Sequence, residues 1–134
     1  MATEGVRYVV DTFVWVEALR GTPLGQEGAR RIQANRCATP TIVLAELADR
    51  YTRDAIPNLA EDLDSIEELT EIVVLDRAIA EEGGRLKVEM RKTSPDVPLA
   101  DGIVYATAKR LDAQVLTGDP HFKGRPGVAY LERP

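Results

Sequence analysis

The chain has 134 residues, 44% of them hydrophobic and 29% charged, with a formal net charge of −5. That is enough for one folded domain with a real core and too little for two comfortable ones, and it excludes the disordered and fibrous classes. The acidic balance argues against a protein whose whole surface holds nucleic acid, while leaving room for local basic strips or for acids neutralised by metal.

The opening MATEGVRYVVD lacks a basic region followed by an apolar run, and no apolar stretch approaches the ~20 residues that span a bilayer, so a cytoplasmic location is the expectation. Val6 to Val10 is a compact β-branched and aromatic run that predicts a buried strand ending at Asp11. Thr12 is placed to cap a helix from Phe13 to about Arg20, which Gly21 and Pro23 stop, and a second helix is predicted from about Leu24 to Asn35. Cys37 to Thr39 predicts a short second strand. Cys37 is the only cysteine, which excludes an internal disulfide and a cysteine-based zinc cage, fits a reducing compartment and suits a small core residue.

Thr39 and Pro40 have the character of an N-cap and first helical position for TIVLAELADRYT, with Glu46 in its second turn. After Pro57, the spacing of Leu59, Leu63, Ile66 and Leu69 predicts a helix with an acidic, solvated outer face. Glu71 to Leu75 predicts a third strand, and Asp76 caps a helix running toward Lys92. Gly83 and Gly84 lie inside that helix and predict a kink or break, since each costs about 1 kcal/mol relative to alanine. TSPDVP is a loop, Leu99 to Leu111 a helix with Asp101 near its start, Gln114 to Thr117 a fourth strand leading through Gly118 to Asp119, and Val128 to Leu131 a short last strand. Strands alternating with helices, without hairpin signals, indicate the α/β class: a parallel sheet of four to five short strands covered on both faces.

Four acids stand at or just beyond core-forming segments: Asp11, Glu46, Asp101 and Asp119. Carboxylates are rarely buried unless paired or metal-bound. Each has an ordinary alternative, as turn former, cap, helix-terminus acid or exposed helix residue. In a parallel α/β sheet, however, loops converge at the carboxyl ends of the strands, where ligands bind, and all four acids fall at that edge. Two carboxylates 4 Å apart repel by roughly 4 kcal/mol at an effective dielectric near 20, so a converging set implies a cation. All-oxygen donors suit Mg²⁺ or Mn²⁺, and such ions can activate water and hold a scissile phosphate.

The segments VVDTFVW, TPTIVLAEL, PLADGIVYATA and VLTGDPHF, in that order over nearly the full chain, resemble the PIN-domain family, and the compact form resembles a VapC-type toxin ribonuclease. The resemblance implies a PIN-like three-layer α/β/α fold over residues 1–134. It implies an acidic metal site of Asp11, Glu46, Asp101 and Asp119, with Asp11 and Asp101 ranked first as direct ligands. Thr12 and Thr117 match the family's hydroxyl positions and would orient water or a carboxylate. Implied with them are Mg²⁺- or Mn²⁺-dependent cleavage of RNA by metal-activated water, restraint by a cognate antitoxin protein, and a homodimer. His121 stands where many relatives have another acid, and is expected to be a surface turn residue.

RNA binding needs cations. Arg85, Lys87, Arg91 and Lys92 precede the Asp101 helix, and Lys123 and Arg125 follow Asp119; these are the candidate RNA contacts, with a solvated charged face as the simpler role for at least half of them. Phe13, Trp15 and Tyr51 are expected to pack in the core. A haloacid-dehalogenase-type phosphatase would need an aspartate where Phe13 stands, and a phosphorelay receiver, for which Asp76 could supply the acid after the third strand, would need a lysine directly following Thr117, where Gly118 stands. The competing function is a catalytically silent PIN-like module that binds RNA or protein, for which four repelling acids have no electrostatic rationale.

Overall fold

The computed structural model describes residues 5–134; residues 1–4, part of the opening in which no leader is expected, lie outside the described residues. In chain order the elements are β1 (Tyr8–Val10), α1 (Thr12–Arg20), α2 (Pro23–Ala34), β2 (Cys37–Pro40), α3 (Thr41–Arg53), α4 (Leu59–Leu69), β3 (Glu71–Val73), α5 (Arg77–Met90), α6 (Leu99–Arg110), β4 (Gln114–Thr117), a 3₁₀ turn (Pro120–Phe122) and β5 (Val128–Tyr130). The five strands form one sheet in the order β3-β2-β1-β4-β5, every neighbouring pair parallel. Among the described residues no helix is long and apolar enough to cross a membrane.

Successive side chains of a strand point to opposite faces, yet every residue of β1 and β2 is buried, so both faces of the sheet's centre are covered. Val9, Val10, Val115 and Leu116 are fully buried there, joined by Val14 of α1, Val43 and Leu47 of α3 and Val104 of α6. From β1 the chain first builds outward through β2 to β3 and then crosses back to place β4 on the other side of β1. That reversal makes the carboxyl ends of β1 and β4 a topological switch point, the crevice where ligands bind in open α/β sheets.

The predicted elements are all present, with shifted ends. Thr12 is the first residue of α1 and Asp11 its N-cap, so the Thr12 hydroxyl is free for a tertiary partner. Likewise Pro40 is the N-cap of α3 and Thr39 remains in β2, where its buried hydroxyl joins a relay. Thr70 spends its only hydroxyl proton on the Ile66 carbonyl at 2.9 Å; Thr39 therefore donates to Thr70 at 2.7 Å and accepts from Trp15 Nε1 at 3.2 Å. The relay ties α1, β2 and the end of α4 together.

The glycine pair does not break α5, which runs uninterrupted through Gly83 and Gly84. Its reason is packing. A Cβ on Gly83 would lie 2.9 Å from Ile103 Cα, and one on Gly102 would lie 2.3 Å from the Gly83 carbonyl oxygen. The absent side chains let the backbones of α5 and α6 touch, which sets α6, and Asp101 with it, against the rest of the fold.

Candidate active site

Strand register positions the first acid. Val10 of β1 lies beside Leu116 of β4, and the Asp11 amide continues the ladder by donating to the Leu116 carbonyl at 3.1 Å. Asp11 is thereby set against Thr117, whose hydroxyl donates to Asp11 Oδ2 at 2.8 Å. The same hydroxyl accepts from the Asp119 amide at 3.0 Å, and Asp119 Oδ1 accepts from the His121 amide at 2.9 Å, capping the 3₁₀ turn. One threonine thus couples the ends of the two central strands.

The other two acids come from helix starts. Asp101 lies in the first turn of α6, and Glu46 one turn further along α3, where the Thr12 hydroxyl donates to Glu46 Oε1 at 2.6 Å. All four acids line one concave opening of about 190 Å³, together with Thr12, Phe13, Val16 and Arg50.

Packing these carboxyls together raises their affinity for protons. Asp11, only 3% exposed, is pushed up to about 8, by burial first and then by the charge of Asp101, with Glu46 and Asp119 adding and the Thr117 hydrogen bond opposing. Asp101, 5% exposed, is pushed up to about 7 by burial and then by Asp119 and Glu46. Glu46 is raised as well, chiefly by burial, with the Thr12 hydrogen bond acting against it and Asp119 and Asp49 adding to the rise. A cation would relieve all of these at once.

The donor chemistry fits a divalent ion. One oxygen of Asp101, one of Asp119 and a ring nitrogen of His121 lie within 4.8 Å of one another. His121 stands in a turn, as expected from the sequence, but its ring is half-buried and turned to the acids, with Nδ1 3.0 Å from Asp101 Oδ2 and 3.5 Å from Asp119 Oδ1. Sequence reasoning also missed Arg50 at the opening; its signal was its place four residues after Glu46, on the same face of a predicted helix. Trp15 and Tyr51 are in the core as expected, whereas Phe13 is only partly buried and borders the opening.

The candidate RNA contacts divide. Arg125 is committed to the fold, donating from Nε to the His121 carbonyl at 2.6 Å and from a terminal nitrogen to the Met90 carbonyl at 3.1 Å. Arg91 donates from Nε to the Val97 carbonyl at 2.7 Å. Arg85, Lys92 and Lys123 make ion pairs with Glu81, Glu89 and Glu132 at 3.9, 3.1 and 3.2 Å, and Lys87 is partly buried on α5.

The sequence matches the family model of the PIN domain over residues 8–127. The chain belongs to the PIN-domain family. No curated protein matches this PIN chain at significant similarity. Among solved structures it is similar to a toxin–antitoxin complex from Klebsiella pneumoniae (TM-score 0.74, 20% identity, 95% of this chain and 99% of that chain covered). It is also similar to VapBC2 from Rickettsia felis bound to a promoter DNA fragment (TM-score 0.69, 22% identity, 93% and 97% covered). A third is FitAcB from Neisseria gonorrhoeae (TM-score 0.68, 26% identity, 93% and 96% covered). The α/β PIN-like fold, with a five-stranded parallel sheet and six helices among the described residues, is thus shared with chains of toxin–antitoxin complexes.

Proposed function

We propose that this PIN-domain chain is a metal-dependent endoribonuclease, the VapC-type toxin of a type II toxin–antitoxin pair, with residues 1–134 as one domain. The observation that carries the proposal is the convergence of Asp11, Glu46, Asp101 and Asp119 on one opening at the switch point of the sheet. Membership of the PIN family and the likeness to toxin–antitoxin complexes support it. The partners that go with this function are an RNA substrate, a cognate antitoxin and a second copy of the chain, in the cytoplasm.

Asp11 and Asp101 would hold Mg²⁺ or Mn²⁺, with Glu46 and Asp119 acting directly or through water. When bound, such a cation polarises the scissile phosphate, acidifies water and offsets the carboxylate charge. Thr117 keeps Asp11 Oδ2 oriented, and Thr12 engages Glu46 Oε1, which leaves Glu46 Oε2 to receive a proton. Arg50, which lines the opening, and Lys123, in the turn after Asp119, would meet phosphates; Arg85, Lys87 and Lys92 would extend that contact along α5.

The test is cleavage of structured and unstructured RNA by protein free of antitoxin, with Mg²⁺ or Mn²⁺, alongside EDTA and Asp101→Asn controls. Cleavage that persists in EDTA or in the variant would refute the metal-nuclease assignment. No cleavage of any RNA would favour a silent binding module.

A further inference from the structure

We infer that His121 is itself a ligand of this centre, giving it a mixed nitrogen–oxygen donor set that favours a transition ion such as Mn²⁺ over Mg²⁺. The inference rests on the metal-nuclease reading above and deepens it. In an octahedral shell with bonds near 2.1 Å, neighbouring ligand atoms stand about 3.0 Å apart. His121 Nδ1 is 3.0 Å from Asp101 Oδ2 and 3.5 Å from Asp119 Oδ1, close to that spacing on both sides.

The ring is aimed by the fold. Its backbone amide donates to Asp119 Oδ1 at 2.9 Å and its carbonyl accepts from Arg125 Nε at 2.6 Å. Arg125 is tied in turn to the Met90 carbonyl and the Thr93 hydroxyl, each at 3.1 Å. The next residue, Phe122, is fully buried, edge-on to Tyr105 with ring centres 5.9 Å apart. A turn pinned on three sides, at the end of a site strand, holds the imidazole against two carboxylates at little entropic cost on binding.

Ligation requires the neutral tautomer with its proton on Nε2, leaving the Nδ1 lone pair for the ion. Imidazole suits transition ions, whereas Mg²⁺ prefers oxygen and keeps its waters. The same 3.0 Å distance would also serve a hydrogen bond from Nδ1 to Asp101, which would make His121 a positioning residue instead. Spectroscopy separates the two.

His121 is the only histidine in the chain, so after removal of any purification tag an imidazole signal has one source. Pulsed electron paramagnetic resonance of Mn²⁺ added to the wild-type protein should show ¹⁴N modulation from a directly bound imidazole. His121→Asp, which keeps an oxygen donor, should bind Mn²⁺ without that modulation. In competition titrations its preference should shift toward Mg²⁺ by roughly 10-fold or more, 10-fold being the lower end of what losing even an outer-shell partner of a metal ligand costs. Mn²⁺ bound to the wild type without nitrogen modulation, or an unchanged Mn²⁺-to-Mg²⁺ ratio in His121→Asp, overturns the ligand assignment and leaves the nuclease reading standing. Failure to bind Mn²⁺ at all overturns the ligand assignment; only failure of EDTA-sensitive RNA cleavage as well removes the nuclease reading.

Discussion

Titrating Mg²⁺ or Mn²⁺ into the protein is expected to expel protons, because two of the carboxyls facing the opening carry them at neutral pH. With Asp11 at about 8 and Asp101 at about 7, the first holds roughly 0.9 of a proton at pH 7 and the second roughly 0.5. A cation that binds both carboxylates displaces about 1.4 protons at pH 7 and about 0.1 at pH 9. By linkage, the logarithm of the association constant should rise by about 1.4 per pH unit near neutrality and flatten by pH 9. Isothermal titration calorimetry in two buffers of different ionisation enthalpy measures the release directly. A release no larger at pH 7 than at pH 9, or an affinity flat across that interval, would refute the reasoning.

Three further outcomes follow from the same contacts. Asp11 and Asp101 have folded-state affinities for protons raised above the ordinary aspartate value of 3.8, so the folded chain binds more protons than the unfolded one. Their contribution to stability is therefore fully present below about pH 3.8 and is lost progressively as pH rises from there through about 7 to 8; metal-free melting temperatures should fall across that whole interval and level off above it, and Asp11→Asn should flatten the fall. Thr117→Val leaves the Asp119 amide and Asp11 Oδ2 without their partner, which should cost about 1–3 kcal/mol in denaturant unfolding. It should also raise Asp11 further and weaken cation binding at pH 7, readable in the same calorimeter. For the glycine pair, Gly84 faces open space and Gly83 faces Ile103, so Gly84→Ala should stabilise by about 0.5–1 kcal/mol and Gly83→Ala destabilise by about 1–3 kcal/mol through overpacking, opposite signs from adjacent positions.

The four acids are legible in the sequence because their signal is local: an acid directly after a β-branched run, or at the start of an apolar helix, conflicts with burial wherever it occurs. Parallel strands follow equally from local pattern, and β1 to β5 all fall where the runs predict them. Helix starts are less legible, because capping propensity ranks residues without knowing which hydroxyls have a tertiary partner. Thr12 and Thr39 have the chemistry of caps, yet Thr12 is drawn to Glu46, 34 residues away, and Thr39 to Trp15 and Thr70. Gly83 is illegible for the same reason. Propensity sees its cost to α5, while the compensating contact with Ile103 lies on another helix.

What the sequence conceals most is how the acids are held. Asp11 is held at the opening by Thr117, 106 residues further along the chain, whose hydroxyl donates to Oδ2 and opposes the rise in proton affinity that burial causes. Thr117 is placed there by the β1–β4 register, which no local pattern encodes. His121 shows the same dependence from the other side: beside Pro120 and Gly124 it has every mark of a surface turn, and Arg125, bridging its carbonyl to that of Met90 at the end of α5, joins the Asp119 cap and buried Phe122 in holding the turn so that the ring faces Asp101. Arg125 has the composition of a phosphate contact and the geometry of a strut. Its role therefore bears on the site through shape: Arg125→Ala should free the turn and with it the His121 ring, whereas Lys123→Ala, two residues away, whose ammonium meets exposed Glu132 and the Tyr130 ring, should leave the ring in place. Cation affinity separates the two, lowered in the first variant and unchanged in the second, and equal losses in both would show that charge near the opening matters more than the strut.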